Sequence, residues 1–226
     1  MKNLFVSILV LLFSGNIAVA TTIAPQLPKL YVAAETGDVS AVSQLLKDGA
    51  AVDETCQFAC TGWTPLMIAA ANGHAEIVDI LLKNNANPNS QNDLGRTALH
   101  FAVRYDFFPI VKALLKAGAN PNLKSFEGMD DSGNQMVNSP MADALTQKNE
   151  NTEMLRVLVI EGAGDVNYEF WGRTPIIMAA RYNDVELLKY LLEHGADKSY
   201  KHLQFGTALD IAREYESKEA MDLLSK

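Results

Sequence analysis

A period of about 33 residues constrains this chain more than any other feature. The segment TPLMIAAANGHAEIVDILLKNNANPN, from Thr64, aligns without gaps on TALHFAVRYDFFPIVKALLKAGANPN, from Thr97. A third copy, TPIIMAARYNDVELLKYLLEHGADKS, starts at Thr174. Weaker copies start at Pro28, Ser139 and Thr207, so the steps between starts are 36, 33, 42, 35 and 33. A chain built this way is a stack of supersecondary units, none of which can bury its apolar face alone.

The positions within a unit fit a helix, a turn and a second helix. Ser or Thr opens five of the six units, where its hydroxyl can cap free helix N–H groups. Small alanines follow (Ala33-Ala34, Ala69-Ala70, Ala179-Ala180) and allow neighbouring helices to approach closely. Gly37, Gly73, Asp106 or Asn183 comes next, all tolerant of positive φ. The second helix carries Leu45-Leu46, Leu81-Leu82, Leu114-Leu115 or Leu191-Leu192. It is predicted to stop at Gly49, Asn85, Gly118, Gly162 or Gly195. The opening TPLH-x-AA pattern and the closing LL-x-x-GA resemble ankyrin repeats, over residues 28–224. The resemblance implies an all-α solenoid of about six helix-turn-helix units with protruding loops or β-hairpin fingers. We expect this domain over 28–226, with a polar end (Glu214, Glu216, Lys218, Glu219, Asp222) that stops the stack growing and leaves a monomer when free.

Residues 1–20 read as a signal peptide: Lys2, a ten-residue apolar run from Leu4 to Phe13 broken only by Ser7, then Ala18-Val19-Ala20. The apolar run is short for a membrane span. Residues 21–27 form a linker, and the expected location is the periplasm, with secretion as the alternative. In an oxidising compartment Cys56 and Cys60, four positions apart in one loop, can pair as a disulfide; the other reading is two thiols, one packed inward. No further membrane segment is expected after cleavage.

The formal charge is −8, which argues against general affinity for nucleic acid or anionic lipid. C-x3-C without His or Cys partners is poor zinc spacing, and residues 130–134 (DDSGN) lack the acidic alternation of a calcium loop, so neither metal nor cofactor is expected. His74, His100, His194 and His202 show no ligand spacing, and no P-loop, G-x-S-x-G or H-E-x-x-H occurs. We expect no enzyme activity.

The resemblance to ankyrin repeats implies a concave binding face made of loop tips and first-helix residues. Carried onto this sequence, it includes Trp63, Arg96, Arg104, Tyr105, Phe170, Trp171, Arg173, Arg181, Tyr182 and, with looser alignment, Tyr215. Four of the six arginines and both tryptophans fall there. Trp, Tyr and Arg concentrate binding energy at interfaces, and guanidinium groups suit carboxylates. The expected partner is therefore a protein with an acidic patch, and the expected role is inhibition of a cell-envelope enzyme such as a peptidoglycan hydrolase. The alternatives are a stress-protective scaffold for other periplasmic enzymes, such as antioxidant enzymes, and a secreted effector that binds a host protein. The inserted loop 125–138 either shapes a groove on this face or is a tolerated surface extension.

Overall fold

The computed structural model describes residues 27–56, 61–129, 135–146 and 152–226. The expected leader, residues 21–26 of the linker, Cys60 and residues 130–134 lie outside the described residues.

Helices follow one another in pairs. The first pair is α1 (Lys29–Thr36) and α2 (Val39–Lys47). Then come α3 (Pro65–Ala71) with α4 (Ala75–Lys83), and α5 (Ala98–Arg104) with α6 (Phe108–Lys116). A hairpin of β1 (Ser125–Met129) and β2 (Gln135–Asn138) precedes α7 (Pro140–Thr146). α8 (Glu153–Arg156) runs on as a π-helical turn over Val157–Glu161. α9 (Pro175–Arg181), α10 (Val185–Glu193), α11 (Ala208–Glu214) and α12 (Lys218–Leu224) complete the array. The fold is mostly helical, an ankyrin-type solenoid with fingers, and the inserted loop supplies the longest described finger.

Local chemistry starts each first helix. Thr64 accepts from the Met67 N–H at 3.3 Å, Ser139 from Ala142 at 3.1 Å and Thr207 from Asp210 at 3.3 Å. Thr174 departs from this: its hydroxyl is buried and bonds nothing. Between the two helices of a unit the chain reverses through one left-handed residue: Gly37, Gly73, Asp106, Asn183 or Glu216. Gly73 has a second reason to be glycine. A Cβ there would stand 2.9 Å from the ring of Phe107 in the next unit.

First helices stack on first helices and second helices on second helices. The close faces are small: Ala34, Ala69, Ala70, Ala102, Ala179 and Ala180 are fully buried. The leucine and isoleucine faces of the second helices fill the space behind, and one apolar core runs through the array. Lys47, Lys83, Lys112, Lys116 and Lys189 lie on the exposed outer side.

Asparagines knit the unit ends. Asn89 donates to the Gly118 carbonyl (2.9 Å) and accepts from the Asn120 N–H (2.8 Å). Asn167 does the same with Gly195 (3.1 Å) and Asp197 (2.8 Å), and Asn122 with Ala163 (3.5 Å) and Asp165 (3.0 Å). In units two, three and four one side chain thus bonds the backbone just past the second helix of the next unit.

Unit four corrects the sequence reading of its turn. Gly162, expected as the left-handed stop, has φ −99°, and Ala163 takes the positive φ of 52° instead. The cause is the π turn, whose extra residue delays the reversal by one position. Gly162 is still needed, because a Cβ there would lie 2.6 Å from the Leu158 carbonyl and 2.8 Å from Leu115.

Asn89→Ala is expected to cost about 1–2 kcal/mol, because it removes two inter-unit hydrogen bonds. Urea unfolding should show a lower midpoint than wild type, and Lys83→Ala, on the outer face, should not.

Candidate functional site

Apart from the β1–β2 hairpin the fingers are short antiparallel bridges, and the unit-five finger ends in a two-residue turn. In unit five Phe170 and Arg173 exchange backbone bonds at 3.0 Å across Trp171 and Gly172, which have φ of 50° and 75°. Two consecutive positive φ values make a type I′ turn, which normally takes Asn-Gly. Here the first position holds tryptophan. Trp171 is 79% exposed and, among the described residues, stacks only on Phe170, with ring centroids 5.1 Å apart. In unit two Thr61 and Gly62 also have consecutive positive φ, 46° and 78°. Trp63 follows its glycine, so it points the other way: it is half-buried and tilts onto Phe101 at 4.3 Å. The two tryptophans therefore differ in kind. Trp63 anchors a finger to the core and Trp171 is presented to solvent.

The fingers also pair sideways. Asp93 N–H donates to Thr61 O (3.0 Å), and Phe126 N–H donates to Leu94 O (2.7 Å). His202 shapes the last finger by accepting from Gln204 and Phe205 N–H, with its ring against Gly172 and Phe205.

The four expected arginines divide into two pairs. Arg96 meets Glu127 Oε2 at 2.7 Å, and Arg104 meets Glu127 Oε1 at 3.2 Å and Asp143 at 3.5 Å. This revises the expectation that all four guanidinium groups await a partner's carboxylates: the inserted hairpin has already supplied one to Arg96 and Arg104. Burial works against the Arg104 charge, but Asp143 and Glu127 outweigh it and raise its pKa. Burial also raises the Asp143 carboxyl, with Glu127 adding to it against the pull of Asn138 and Arg104. In unit five the chemistry is open. Arg173 donates to the Leu145 carbonyl at 3.0 Å. Arg181 lies 4.8 Å from the Tyr215 ring centroid and 5.4 Å from that of Tyr182, a cation–π sandwich. Among the described residues neither Arg173 nor Arg181 has an ion pair. Tyr105 and Tyr215 are 53% and 45% exposed, and Tyr182 is half-buried against the core.

Glu127 is the residue that sequence reasoning missed. It is one of three acids in the insertion, with Asp130 and Asp131, and the sequence does not mark it out as the one that meets the arginines.

The histidines have structural partners. His100 is buried, and its Nδ1 accepts from the Thr97 N–H at 3.0 Å. Burial, followed by Arg96 and Arg104, drives its pKa down to about 3, with the Leu123 backbone pulling weakly the other way. His74 bonds the Glu35 carbonyl of the preceding unit at 3.2 Å, and His194 stacks on Tyr190. Among the described residues no group of three His, Cys, Asp or Glu is placed to hold a metal ion. No described helix is long and apolar enough to cross a membrane. A hollow with about 50 Å³ of free space lies between units five and six, and an open trough of about 460 Å³ runs beside Arg156, Tyr182 and Asp184.

Stacked helical hairpins with a row of fingers and a polar-aromatic inner face define a repeat-built scaffold for macromolecular contact. The family model for ankyrin repeats (three copies) matches residues 30–125 and 141–226, and the chain belongs to the ankyrin-repeat family. The solved structure of the ankyrin repeat protein EF0377 superposes with a TM-score of 0.61 at 26% identity, covering 89% of this chain and 98% of that one. Among curated proteins the chain is similar to ankyrin repeat, SAM and basic leucine zipper domain-containing protein 1. It is 46% identical to that of Nomascus leucogenys and 45% to that of Colobus guereza, each over 65 residues. That match takes in 29% of this chain, and the chain spans only 13% of those relatives' length. Ankyrin repeats are protein-interaction scaffolds, typically without catalytic activity, and this chain shares that class of function.

A histidine held neutral in the fold ties stability to pH. With the folded value near 3 against an unfolded 6.5, the unfolded chain takes up a proton first as pH falls, so stability present above about pH 6.5 is lost on the way down to about pH 3. Between pH 7 and 5 the expected loss is about 2 kcal/mol. The His100→Gln variant should show a flatter pH dependence of its urea midpoint over that range.

Proposed function

We propose that this chain is an exported, periplasmic protein whose fingers and first helices grip one folded protein partner by an acidic patch on the partner's surface, as an inhibitor or immunity-type protein of a cell-envelope enzyme such as a peptidoglycan hydrolase. The leader-like sequence at residues 1–20 supports export. The observation that carries the binding reading is Trp171. A large aromatic residue sits at positive φ and 79% exposed on a fingertip where Asn would be easier. Such a residue gives up local stability, of the order of 1 kcal/mol, to place an interface anchor in solvent. Arg173, Arg181, Tyr182 and Tyr215 stand beside it and continue the surface.

The same export reading makes Cys56–Cys60 a disulfide. Cys56 is 1% exposed and its N–H donates to the Trp63 carbonyl at 3.0 Å, at the base of the unit-two finger. A link across so few residues constrains one loop and little else. Reduction is therefore expected to leave far-UV circular dichroism and the main thermal transition nearly unchanged; global unfolding on reduction would contradict this role.

The main test is capture from a periplasmic extract with the mature chain, followed by assay of the captured protein. Trp171→Asn is the informative variant, since Asn-Gly is the preferred I′ pair. It is expected to keep or raise stability by up to about 1 kcal/mol while weakening capture at least tenfold. A one-to-one complex that abolishes the partner's activity supports inhibition. Raised partner activity points instead to the protective scaffold, and a partner of host origin to the effector. Equal capture by wild type and variant removes the proposed face from consideration.

A further inference from the structure

We infer that Arg173 and Arg181 form a carboxylate subsite that takes one glutamate side chain of the partner, flanked there by an apolar or aromatic residue. This deepens the binding role proposed above and rests on it only for the word partner.

The molecule contains its own template. Arg173 and Arg181 stand at the unit positions of Arg96 and Arg104, each 77 residues further along, and Tyr182 matches Tyr105 in the same way. In unit three the pair is bridged by a single carboxylate: Glu127 gives one oxygen to each guanidinium, at 2.7 and 3.2 Å. That acid comes from the neighbouring finger, lengthened by the insertion. In unit five the neighbouring finger reads His202-Leu203-Gln204-Phe205-Gly206 and brings no acid. The equivalent pair is left without a carboxylate among the described residues, in a chain whose formal charge is −8.

The surroundings are built for such a group. Arg173, Arg181, His202, Phe205, Ile177 and Tyr215 help line the hollow of about 50 Å³. Small-molecule sites are commonly several hundred Å³, so this space suits one functional group and not a whole small ligand. Arg181 Nε is buried there with no hydrogen-bond partner, a donor whose satisfaction is withheld. The rings of Tyr182 and Tyr215 hold its guanidinium plane in place, which lowers the ordering cost of a bidentate contact. Phe205 (41% exposed) and Tyr215 (45% exposed) supply the apolar wall for the residue next to the glutamate.

The full chain labelled with 15N-arginine allows the Nε–H signals to be followed by NMR, with acetyl-Glu-Phe-amide as probe. The signals of Arg173 and Arg181 are expected to shift with a millimolar dissociation constant while those of Arg96 and Arg104 stay still. Acetyl-Gln-Phe-amide and inorganic phosphate should bind at least fivefold more weakly. Glu127→Gln should open Arg96 and Arg104 to the same probe, which would establish that the two sites are equivalent. Arg181→Lys, which keeps the charge but not the fork, should weaken the probe at least fivefold with unchanged circular dichroism. No response at Arg173 and Arg181, an equal response to the Gln probe, or tighter binding of phosphate would each overturn the inference. The dipeptide experiment needs no partner, so the two readings fail separately. Probe binding with no protein captured would leave the subsite standing without the proposed function. A partner held equally well by Arg173→Gln and Arg181→Gln would leave the function standing without the subsite.

Discussion

The close approach of alanine-faced helices sets everything else in this molecule. One helical hairpin has too little apolar area to hold itself together, and its neighbours complete it. Fully buried alanines recur where first helices meet, at Ala34, Ala69, Ala70, Ala102, Ala179, Ala180 and Ala212. A larger side chain at these places would separate adjacent units by the width of the added atoms. The finger contacts, such as Asp93 to Thr61 at 3.0 Å and Phe126 to Leu94 at 2.7 Å, lie downstream of that spacing. So does the span over which Glu127 reaches two arginines. The chemistry of the exposed face is thus registered by packing on which no partner bears.

Repetition then poses a problem that the insertion partly solves. Copying a unit copies its arginines, and an arginine half withdrawn from water needs a counter-charge or an aromatic face. Unit three has the first, through Glu127 and Asp143; unit five has the second, through Tyr182 and Tyr215. The acid in unit three lowers the attraction of that unit for outside carboxylates and holds the finger down. The rings in unit five fix the guanidinium without neutralising it. The same residues at the same unit positions therefore end in opposite electrostatic states, and the difference lies in what the next finger carries.

The repeats, their helices and most of their turns were legible because each depends on local chemistry. Thr and Ser mark helix starts, Gly, Asp and Asn mark reversals, and leucine pairs mark the buried second helix. What could not be read is what depends on contacts distant in sequence. The 31-residue separation of Arg96 from Glu127 leaves no periodic trace, because Glu127 belongs to the insertion and has no counterpart in the other units. Ala163 in place of Gly162 as the left-handed residue follows from a π turn that no pattern of apolar residues announces. The asparagine ladder is the intermediate case. Its N-x-N spacing is present in the copies from Thr64 and Thr97, but which carbonyl each amide would meet depended on the stack. The tryptophans make the same point at a single position: Trp63 after its glycine is anchored, and Trp171 before its glycine is presented.

The junction of units four and five shows how much of this order is polar. Ser139 donates to the Tyr168 hydroxyl at 2.7 Å, and Arg173 donates to Leu145 O at 3.0 Å. Thr152 bonds Asp184, and Arg156 meets Asp184 at 3.4 Å and Glu186 at 2.8 Å. Directional bonds fix the angle between units more tightly than alanine contacts, which tolerate sliding. One of them runs through Arg173 itself, so the residue that faces the open hollow also ties unit five to unit four. Charge placed on that guanidinium from outside acts on the junction as well as on the face. The binding surface and the geometry of the array are therefore coupled through a single side chain, one unit beyond the insertion that breaks the period.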